Sequence, residues 1–289
     1  MSRITEQRRL LDEYRIAEAT AGALEDISAL RLASIRSGFE KNRSFYAGIR
    51  DLYGVVRTFG AKEAAVAPKS KKQRQLLVAI TSNKRFYGKL MREVIGGLAR
   101  SLAQLPGADA LAVGRVGWQY IEQENLAAKA RQMLWQDDMP TAAEFDEILA
   151  YFERYDRVLV LYPKFINPFR QDVGVEDITQ TPQDAIPGPS GEGGAPGRAA
   201  EETGYIFEPE VPKILAFFDA QVQRVLLQGV LLEAELARTA ARLIRLEESQ
   251  ERAHTLVVRG EARLRHESAA LADTELLETF AGFSRWHSV

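Results

Sequence analysis

The two ends of the chain are almost free of the residues that stop helices, and this constrains the fold more than any other feature. Residues 4–56 contain no proline, and residues 211–283 contain only Pro212, close to their start. As α-helices they would be rods of roughly 80 and 110 Å, at about 1.5 Å per residue. An ordinary globular core is not that wide. We therefore predict that the two helices pair with each other as an antiparallel coiled coil.

Apolar residues recur at spacings of three and four in both segments, which is typical of coiled-coil helices. The first segment has Leu10, Tyr14, Ala17, Thr20, Leu24 and Ile27, followed after a shift by Ile35, Phe39, Tyr46, Ile49 and Tyr53. The second has Phe218, Val222, Val225, Leu232, Leu236, Leu243, Leu246, Ala253, Val257, Leu264 and Leu271.

Small or polar residues interrupt the second pattern at Gly229, Thr239, Gln250 and Gly260. They indicate either a plain, loosely packed coiled coil or a helix whose surface moves against a partner, and both interpretations stay open. The second helix is also longer by about twenty residues. Part of it is therefore expected to be unpaired or to be covered by another protein.

The composition excludes several classes of protein. Of 289 residues, 46% are hydrophobic, which is enough for a packed core. Basic and acidic residues number 38 and 40, for a net charge of −2, which argues against a nucleic-acid-binding protein. The absence of cysteine excludes disulfides and thiolate metal sites. With no signal peptide and no bilayer-spanning run, we expect an intracellular protein that meets a membrane only through partners.

The middle of the chain alternates strand and helix patterns. Strands are predicted at Leu76–Ile80, Ala110–Val113 and Arg157–Tyr162, and helices at about 90–105, from 118 and at 142–155. This alternation predicts a Rossmann-like, mainly parallel sheet. The predicted domains are a coiled-coil helix at 1–58, the α/β domain at 72–180, a flexible linker at 181–204, and a coiled-coil helix at 205–289 that packs with the first.

The α/β segment lacks the motifs of an enzyme. No phosphate-binding loop or G-x-G-x-x-G follows the first strand, where Ser82-Asn-Lys-Arg-Phe86 stands instead. Ser82 has no histidine in the same segment to activate it, because all three histidines lie at or after residue 254. Gly114 and Gly117 indicate a tight turn. The basic run Lys69–Arg74 suits either a nucleic-acid patch or a solvated linker, and the balanced charge favours the linker. No catalytic, cofactor-binding or metal-binding residue is predicted.

Several motifs, in order and at matching spacing, resemble one family. Ala241-Arg-Leu-Ile-Arg-Leu-Glu-Glu-Ser-Gln-Glu-Arg-Ala253 is similar to the pattern A-R-M-A-A-M-D-N-A-x-x-N-A, and Ala272–Gly282 is similar to the closing I-T-x-E-L-x-E-I-x-x-G. Tyr205–Pro209 matches Y-x-F-E-P, and Thr81–Gly88 resembles T-S-D-x-G-L-C-G. These are the motifs of the gamma subunit of F-type ATP synthases.

The resemblance implies a non-catalytic central rotary stalk without a cofactor. Such a subunit transmits torque between the membrane ring driven by ions and the catalytic alpha/beta hexamer. The implied partners are the alpha, beta and epsilon subunits and the membrane c-ring, at the cytoplasmic face of the inner or plasma membrane. The implied partner-contact residues are Ile27, Arg242, Glu275 and Glu278.

Three departures from the family pattern mark a divergent member. Arg265–Ala269 replaces the family's N-x-x-R-Q, and Ala23–Ser28 is acidic where the family is basic. Arg238 stands where the family has a glutamate four residues before Arg242. We interpret these as charge reversals at contact surfaces. They leave open an alternative, a coiled-coil adaptor descended from the stalk that works outside an ATP synthase.

Overall fold

The computed structural model describes residues 3–60, 74–179 and 211–286. The predicted linker at 181–204, the Tyr205–Pro209 motif and all but the last residue of the basic run Lys69–Arg74 lie outside these ranges. The elements in chain order are α1 (Arg3–Gly60), β1 (Gln75–Ile80), α2 (Leu90–Gln104), β2 (Asp109–Val113), α3 (Arg115–Gln123), β3 (Ala130–Met133), α4 (Ala142–Phe152), β4 (Arg157–Asn167), β5 (Arg170–Asp177) and α5 (Val211–Trp286).

The chain divides into two compact units. The first comprises residues 1–30 and 242–289, and the second comprises residues 31–241. The first unit thus contains only parts of α1 and α5, and the second contains the sheet. The domain boundaries given above from the sequence stay predictions.

In the first unit, the parts of α1 and α5 pack antiparallel. Arg15 Nη2 lies 2.7 Å from Glu261 Oε1, and His254 Nδ1 lies 2.8 Å from Glu18 Oε1. From Arg15 to Glu18 the partner on α5 thus changes from Glu261 to His254, so the two helices run in opposite directions. The predicted antiparallel pairing of the terminal helices is confirmed.

The interface positions predicted for the two helices are partly correct in this unit. On α5, Leu246, Ala253 and Val257 are buried as expected, but Leu271 is 51% exposed. On α1, Leu10, Tyr14 and Leu24 of the predicted stripe are half-buried, whereas Ala17, Thr20 and Ile27 are exposed. The buried residues of α1 are Leu11, Ala21 and Ser28. The reason is that the true interface includes polar residues. Glu18, Glu25 and Ser28 occupy interface positions. Because these residues are polar, the spacing of the interface positions cannot be recognised from the apolar residues alone.

In the second unit, five strands form a mixed, mainly parallel sheet in the order β3-β2-β1-β4-β5. β1 pairs parallel with β2 and β4, β2 pairs parallel with β3, and β5 runs antiparallel to β4. The predicted α/β fold class is confirmed. Two strands were missed by the sequence pattern, because β3 (Ala-Arg-Gln-Met) and β5 (Arg-Gln-Asp-Val-Gly-Val-Glu-Asp) are short or polar edge strands.

Successive residues of the central strands point to opposite faces of the sheet. One face packs on α2 and α3 through Leu77, Ala79, Ala110, Ala112 and Leu161. The other packs on α4 and α5 through Leu76, Val78, Ile80, Leu111, Val113, Val158 and Val160. Helix α4 begins with a capping box, in which Thr141 and Glu144 bond each other's backbone N–H. The consequence is that α5 is a layer of the α/β core as well as a coiled-coil helix.

Candidate functional site

A completely buried arginine lies where α5 crosses the carboxyl ends of the parallel strands. Arg238, 0% exposed, donates through Nη1 to the Thr81 carbonyl oxygen at 2.7 Å and through Nη2 to the Asp138 carbonyl oxygen at 3.1 Å. Its Nε and Nη2 also donate to Glu235 Oε2, at 3.1 and 2.8 Å. The guanidinium thus joins α5 to two loops of the sheet. This placement corrects the interpretation of Arg238 as a charge reversal on a contact surface.

Glu235 lies between two arginines. Its Oε2 accepts from Arg238, and its Oε1 lies 2.8 Å from Arg31 Nη2 on α1. Glu235 itself is buried, whereas the Arg31 side chain is 42% exposed. The arrangement Arg31–Glu235–Arg238 therefore connects α1, α5 and the sheet loops within the second unit. We call it, with Asp138, the Arg238 cluster.

Asp138 is the second centre of the cluster and is also buried. Its Oδ1 accepts from Ser82 Oγ at 2.8 Å and from the Asn83 backbone N–H at 2.6 Å. Its Oδ2 accepts from Tyr87 Oη at 2.8 Å. Every oxygen of the carboxylate is therefore satisfied, as a buried charge requires. These bonds fix the loop that follows β1 and, with it, the Thr81 carbonyl group that Arg238 binds.

The electrostatics of the cluster favour an ionised Asp138. Burial alone would raise the pKa of this carboxyl, but the Arg238 charge and the hydrogen bonds from Asn83, Ser82 and Tyr87 outweigh it, and the pKa of Asp138 is lowered. The pKa of Tyr87 is raised, by burial first and then by the Asp138 charge. At neutral pH Tyr87 is therefore the donor, and the ionised Asp138 the acceptor, of their hydrogen bond.

Two glycines allow α3 to approach the same loop. Gly114 has φ 103°, a conformation that favours glycine, and its N–H donates to Met133 of β3. A Cβ at Gly117 would overlap the side chain of Thr81. The turn predicted for this pair is wrong beyond Gly114, because α3 already begins at Arg115 and includes Gly117. The chain bends at Gly114, and Gly117 serves helix–loop packing.

The polar groups of the cluster bond one another and the loops around them. Ser82 is 1% exposed, and its hydroxyl bonds Asp138 and the Lys84 carbonyl oxygen. Within residues 3–60, 74–179 and 211–286, no three His, Asp or Glu side chains gather in a manner suited to a metal ion. In the same part of the chain, no helix has both the length and the apolar character that a membrane crossing requires. The cluster holds α5 to the sheet.

A second surface of interest is the far end of α5, in the first unit. Every residue from Ser268 to Ala281 is exposed, so nothing in the described part of this unit covers this stretch. Four large apolar side chains project from it: Leu271, Leu276, Leu277 and Phe280, which are 51–70% exposed. Contiguous exposed apolar side chains are common at surfaces that bind other molecules.

All four predicted partner-contact residues belong to the first unit. Ile27 is 60% exposed, and Glu275 and Glu278 are exposed on the uncovered end of α5. Arg242 is half-buried, and its buried Nε has no hydrogen-bond partner among the described residues. Arg242 and Glu275 are about 50 Å apart along α5, at 1.5 Å per residue. The four residues do not form one site, and their contact role stays a prediction.

Sequence reasoning missed the Arg238 cluster. The available signal was the pair Glu235 and Arg238, two opposite charges three residues apart inside the apolar run from Val225 to Ala241. Charged residues at that spacing on a buried helix face bind each other or another buried group. The partners Thr81 and Asp138 lie 157 and 100 residues away, and no local pattern predicts them.

Comparisons with known proteins agree with this architecture. The family model described as ATP synthase matches residues 8–284. The ATP synthase gamma chain of Exiguobacterium sibiricum is 22% identical over 270 residues, covering 90% of each chain. That of another Exiguobacterium species is 25% identical over 178 residues, and this match spans 60% of this chain and 58% of the relative.

Solved structures show the same fold. A chain in the central stalk and c-ring of the Tetrahymena thermophila mitochondrial ATP synthase superposes with a TM-score of 0.57 at 16% identity, covering 79% of this chain and 98% of that one. A chain of the Euglena gracilis mitochondrial ATP synthase gives 0.52 at 14% identity, covering 92% and 96%. Like these structures, the chain combines long terminal helices with an α/β domain. The chain belongs to the ATP synthase family, as a gamma subunit.

Proposed function

We propose that the chain is the central rotary stalk of an F-type ATP synthase, transmitting torque between an ion-driven membrane ring and a catalytic alpha/beta hexamer. The observation that carries the proposal is the family match over residues 8–284, which includes both long helices and the sheet. A rotor needs a stiff axle, and two paired helices resist bending better than a single loop or helix.

The Arg238 cluster supports this function because torque needs a firm joint. Helix α5 is continuous from Val211 to Trp286, and buried residues between Val222 and Ala241 pack in the α/β core or belong to the cluster. Force applied to the α/β domain therefore acts on α5 through a packed apolar layer and a buried ionic cluster. Such a layer resists sliding, because its side chains interdigitate at the density of a crystal.

The uncovered end of α5 supports a contact with the hexamer. Leu271, Leu276, Leu277 and Phe280 supply apolar area, and Glu275 and Glu278 supply charge beside them. In this proposal Glu275 and Glu278, together with Ile27 and Arg242, contact the alpha and beta subunits and take no part in catalysis. Nucleotide chemistry belongs to those partners.

The other proposed partners are the epsilon subunit and the membrane c-ring. The chain would lie on the cytoplasmic side of the inner or plasma membrane, and it would reach that membrane only through partner subunits. It needs no cofactor of its own for a mechanical role. Which ion is coupled depends on the ring and is not a property of this chain.

The adaptor alternative is not favoured. One of its supports was the charge reversal at Arg238, and that residue is buried inside the chain's own α/β unit. The departures at Ala23–Ser28 and Arg265–Ala269 are changes within a chain whose family match is almost complete. They are expected to be matched by changes in the partner subunits.

Copurification tests the proposed function. A tagged copy at native expression is expected to bring down ATPase alpha and beta subunits in a complex that hydrolyses ATP. Recovery of the chain without these subunits would contradict the proposal.

A pair of double variants tests the contact residues. Glu275→Gln with Glu278→Gln is expected to weaken ATP hydrolysis or its coupling in the purified complex. The control, Glu247→Gln with Glu251→Gln, removes two exposed charges from the paired part of the same helix. If both double variants behave alike, Glu275 and Glu278 are not contact residues.

A further inference from the structure

Three arginines line one cavity at the amino-terminal edge of the sheet, opposite to the Arg238 cluster. The cavity has a volume of about 260 Å³ and is lined by Arg74, Gln75, Gly107, Asp109, Arg131, Tyr151, Arg154 and Tyr155. Arg74 precedes β1, Arg131 lies in β3, and Arg154 follows α4. Three separate segments thus direct positive charge to the same place.

The fold restrains all three arginines. The Arg74 N–H donates to Asp156 Oδ2 at 2.8 Å, and its carbonyl oxygen accepts from Asp156 and Arg157. Arg131 is paired with Leu111 in the sheet. The Arg154 guanidinium carbon lies 5.5 Å from the centre of the Tyr151 ring, a cation–π contact that restrains the side chain. The positions are therefore preorganised rather than accidental.

The three guanidinium groups are not neutralised by ion pairs. Across the described ranges, none of them lies within ion-pair distance of a carboxylate, although the same chain pairs Arg15, Arg31 and Arg157 with acids. The cavity contains one acid, Asp109, and its Oδ2 accepts from Tyr155 Oη at 2.9 Å. The lining thus carries three positive charges against one negative charge.

We propose that this cavity binds a small phosphate-bearing anion. Arginine matches phosphate oxygens with a planar fork of donors, and three forks at one cavity provide both charge and geometry. The Tyr151 and Tyr155 hydroxyls are 3.2 Å apart. Burial first, and then the bonds to Tyr151 and Asp109, raise the pKa of Tyr155, so that this side chain adds no negative charge to the cavity. The volume suits a phosphate monoester or diphosphate group rather than an entire large ligand.

A substitution of Asp109 should change the affinity for an anion in the opposite direction to a substitution of an arginine. Removal of an arginine must weaken the binding of an anion, whereas removal of the Asp109 charge must strengthen it. Asn at this position retains an acceptor for Tyr155 Oη, so that Asp109→Asn changes the charge with little change of structure. If Asp109 has only a structural role, Asp109→Asn will not bind the anion more tightly than the unaltered chain.

Titration of the full-length chain with inorganic phosphate and with ADP, at low ionic strength, measures the site directly. We expect saturable binding by calorimetry or phosphorus NMR, weakened about tenfold or more in Arg131→Gln. Arg154→Gln is a second variant outside the strands and is expected to act in the same direction. Arg100→Gln is the matched control, since Arg100 is exposed on α2 outside the cavity and is expected to bind like the unaltered chain.

The source of the phosphate group is resolved by a parallel assay with vesicles. Phosphatidylcholine vesicles containing phosphatidic acid present the same monoester on a membrane surface. Binding of these vesicles that depends on Arg131, without binding of free phosphate or ADP, supports the site and assigns the phosphate to a lipid headgroup. The absence of saturable binding in both assays would overturn the proposal, as would equal effects of Arg131→Gln and Arg100→Gln.

Discussion

At the scale of the residue, Arg238 shows how a buried charge can be accommodated. Moving a guanidinium out of water is costly, and the cost is offset when its donors find acceptors. Here two carbonyl oxygens and Glu235 accept four hydrogen bonds from Arg238, and Arg31 shares the Glu235 carboxylate from the other side. Lysine could not replace this arrangement, because it lacks the planar fork of donors.

Arg238→Ala is expected to lower the free energy of unfolding by about 3–5 kcal/mol, since it leaves Glu235 buried with one partner fewer. Arg245→Ala is the control, because Arg245 pairs with Glu248 on the exposed surface of the same helix, and its loss should cost at most about 1 kcal/mol. Urea denaturation followed by circular dichroism gives both values. Equal losses in the two variants would contradict the structural role of Arg238.

The lowered pKa of Asp138 predicts that the folded chain loses stability in acid. Because its pKa is lowered in the folded chain, the carboxylate contributes stability that is complete above the unfolded pKa of about 4 and is lost as the pH falls towards the folded value. Asp138→Asn removes this titration. The unaltered chain is therefore expected to lose more unfolding free energy between about pH 5 and pH 3 than Asp138→Asn. Parallel pH profiles for the two chains would contradict the ionised Asp138.

At the scale of the element, two helical glycines predict opposite effects of one substitution. Gly117→Ala in α3 places a Cβ into Thr81 and is expected to destabilise the fold by about 1–3 kcal/mol. Gly96→Ala in α2 meets nothing within 4 Å and is expected to stabilise it by up to about 1 kcal/mol, because alanine favours a helix interior. Thermal unfolding of both variants checks the sign. A stabilising Gly117→Ala would show that α3 packs less closely than described.

Two carboxyl groups lie where β4 and β5 pack on α5. Their contribution to stability changes with pH in the opposite direction to that of Asp138. Tyr162 Oη donates to Glu233 Oε2 at 2.9 Å, and burial raises the pKa of Glu233. Burial, followed by the Glu233 charge, also raises the pKa of Glu176. Each group favours folding below its unfolded pKa, and this contribution is lost as the pH rises through the folded value.

Glu233→Gln tests this pair of carboxyl groups. Glutamine retains an acceptor for Tyr162 but cannot ionise. The stability of the unaltered chain relative to Glu233→Gln is therefore expected to fall as the pH rises from about 4 to 7. Unfolding free energies at several pH values measure the difference. A difference that does not vary with pH would exclude the raised pKa of Glu233.

The elements also show what the sequence could and could not predict. The proline-free ends and the apolar strands β1, β2 and β4 gave reliable predictions, because burial on a helix or a central strand leaves a periodic signature. The edge strands β3 and β5 lack this periodic signature, because each pairs with only one neighbouring strand and is less buried than a central strand. The α1 interface was misplaced where polar residues enter it, and the Arg238 cluster depends on long-range contacts that no local pattern contains.

At the scale of the whole molecule, the described part of α5 contains regions that differ in burial. The residues from Val222 to Ala241 include the helix's contribution to the α/β core, and Leu246, Ala253 and Val257 pack on α1 in the first unit. From Ser268 to Ala281 the helix has exposed side chains only. Substitutions in the first two regions should therefore act on stability, and substitutions in the last on the association with other subunits.

A matched set of Leu→Ala variants separates these two effects. Leu246 is 5% exposed, so Leu246→Ala is expected to cost about 2–5 kcal/mol of unfolding free energy through lost burial and a cavity. Leu276→Ala with Leu277→Ala alters side chains that are 56% and 69% exposed, and the free chain should lose less than about 1 kcal/mol. The double variant should nevertheless copurify poorly with the alpha and beta subunits, because apolar contacts at an interface contribute only when the partner is bound.

Urea denaturation of the free chain and copurification from cells measure the two properties independently. If the double variant assembles as well as the unaltered chain, the exposed end of α5 is not the contact surface of the proposed stalk. If it unfolds as easily as Leu246→Ala, that end is packed against the chain itself. Under the proposed stalk function we expect normal folding with impaired assembly, because the exposed apolar side chains of residues 271–280 would then be covered by a partner subunit.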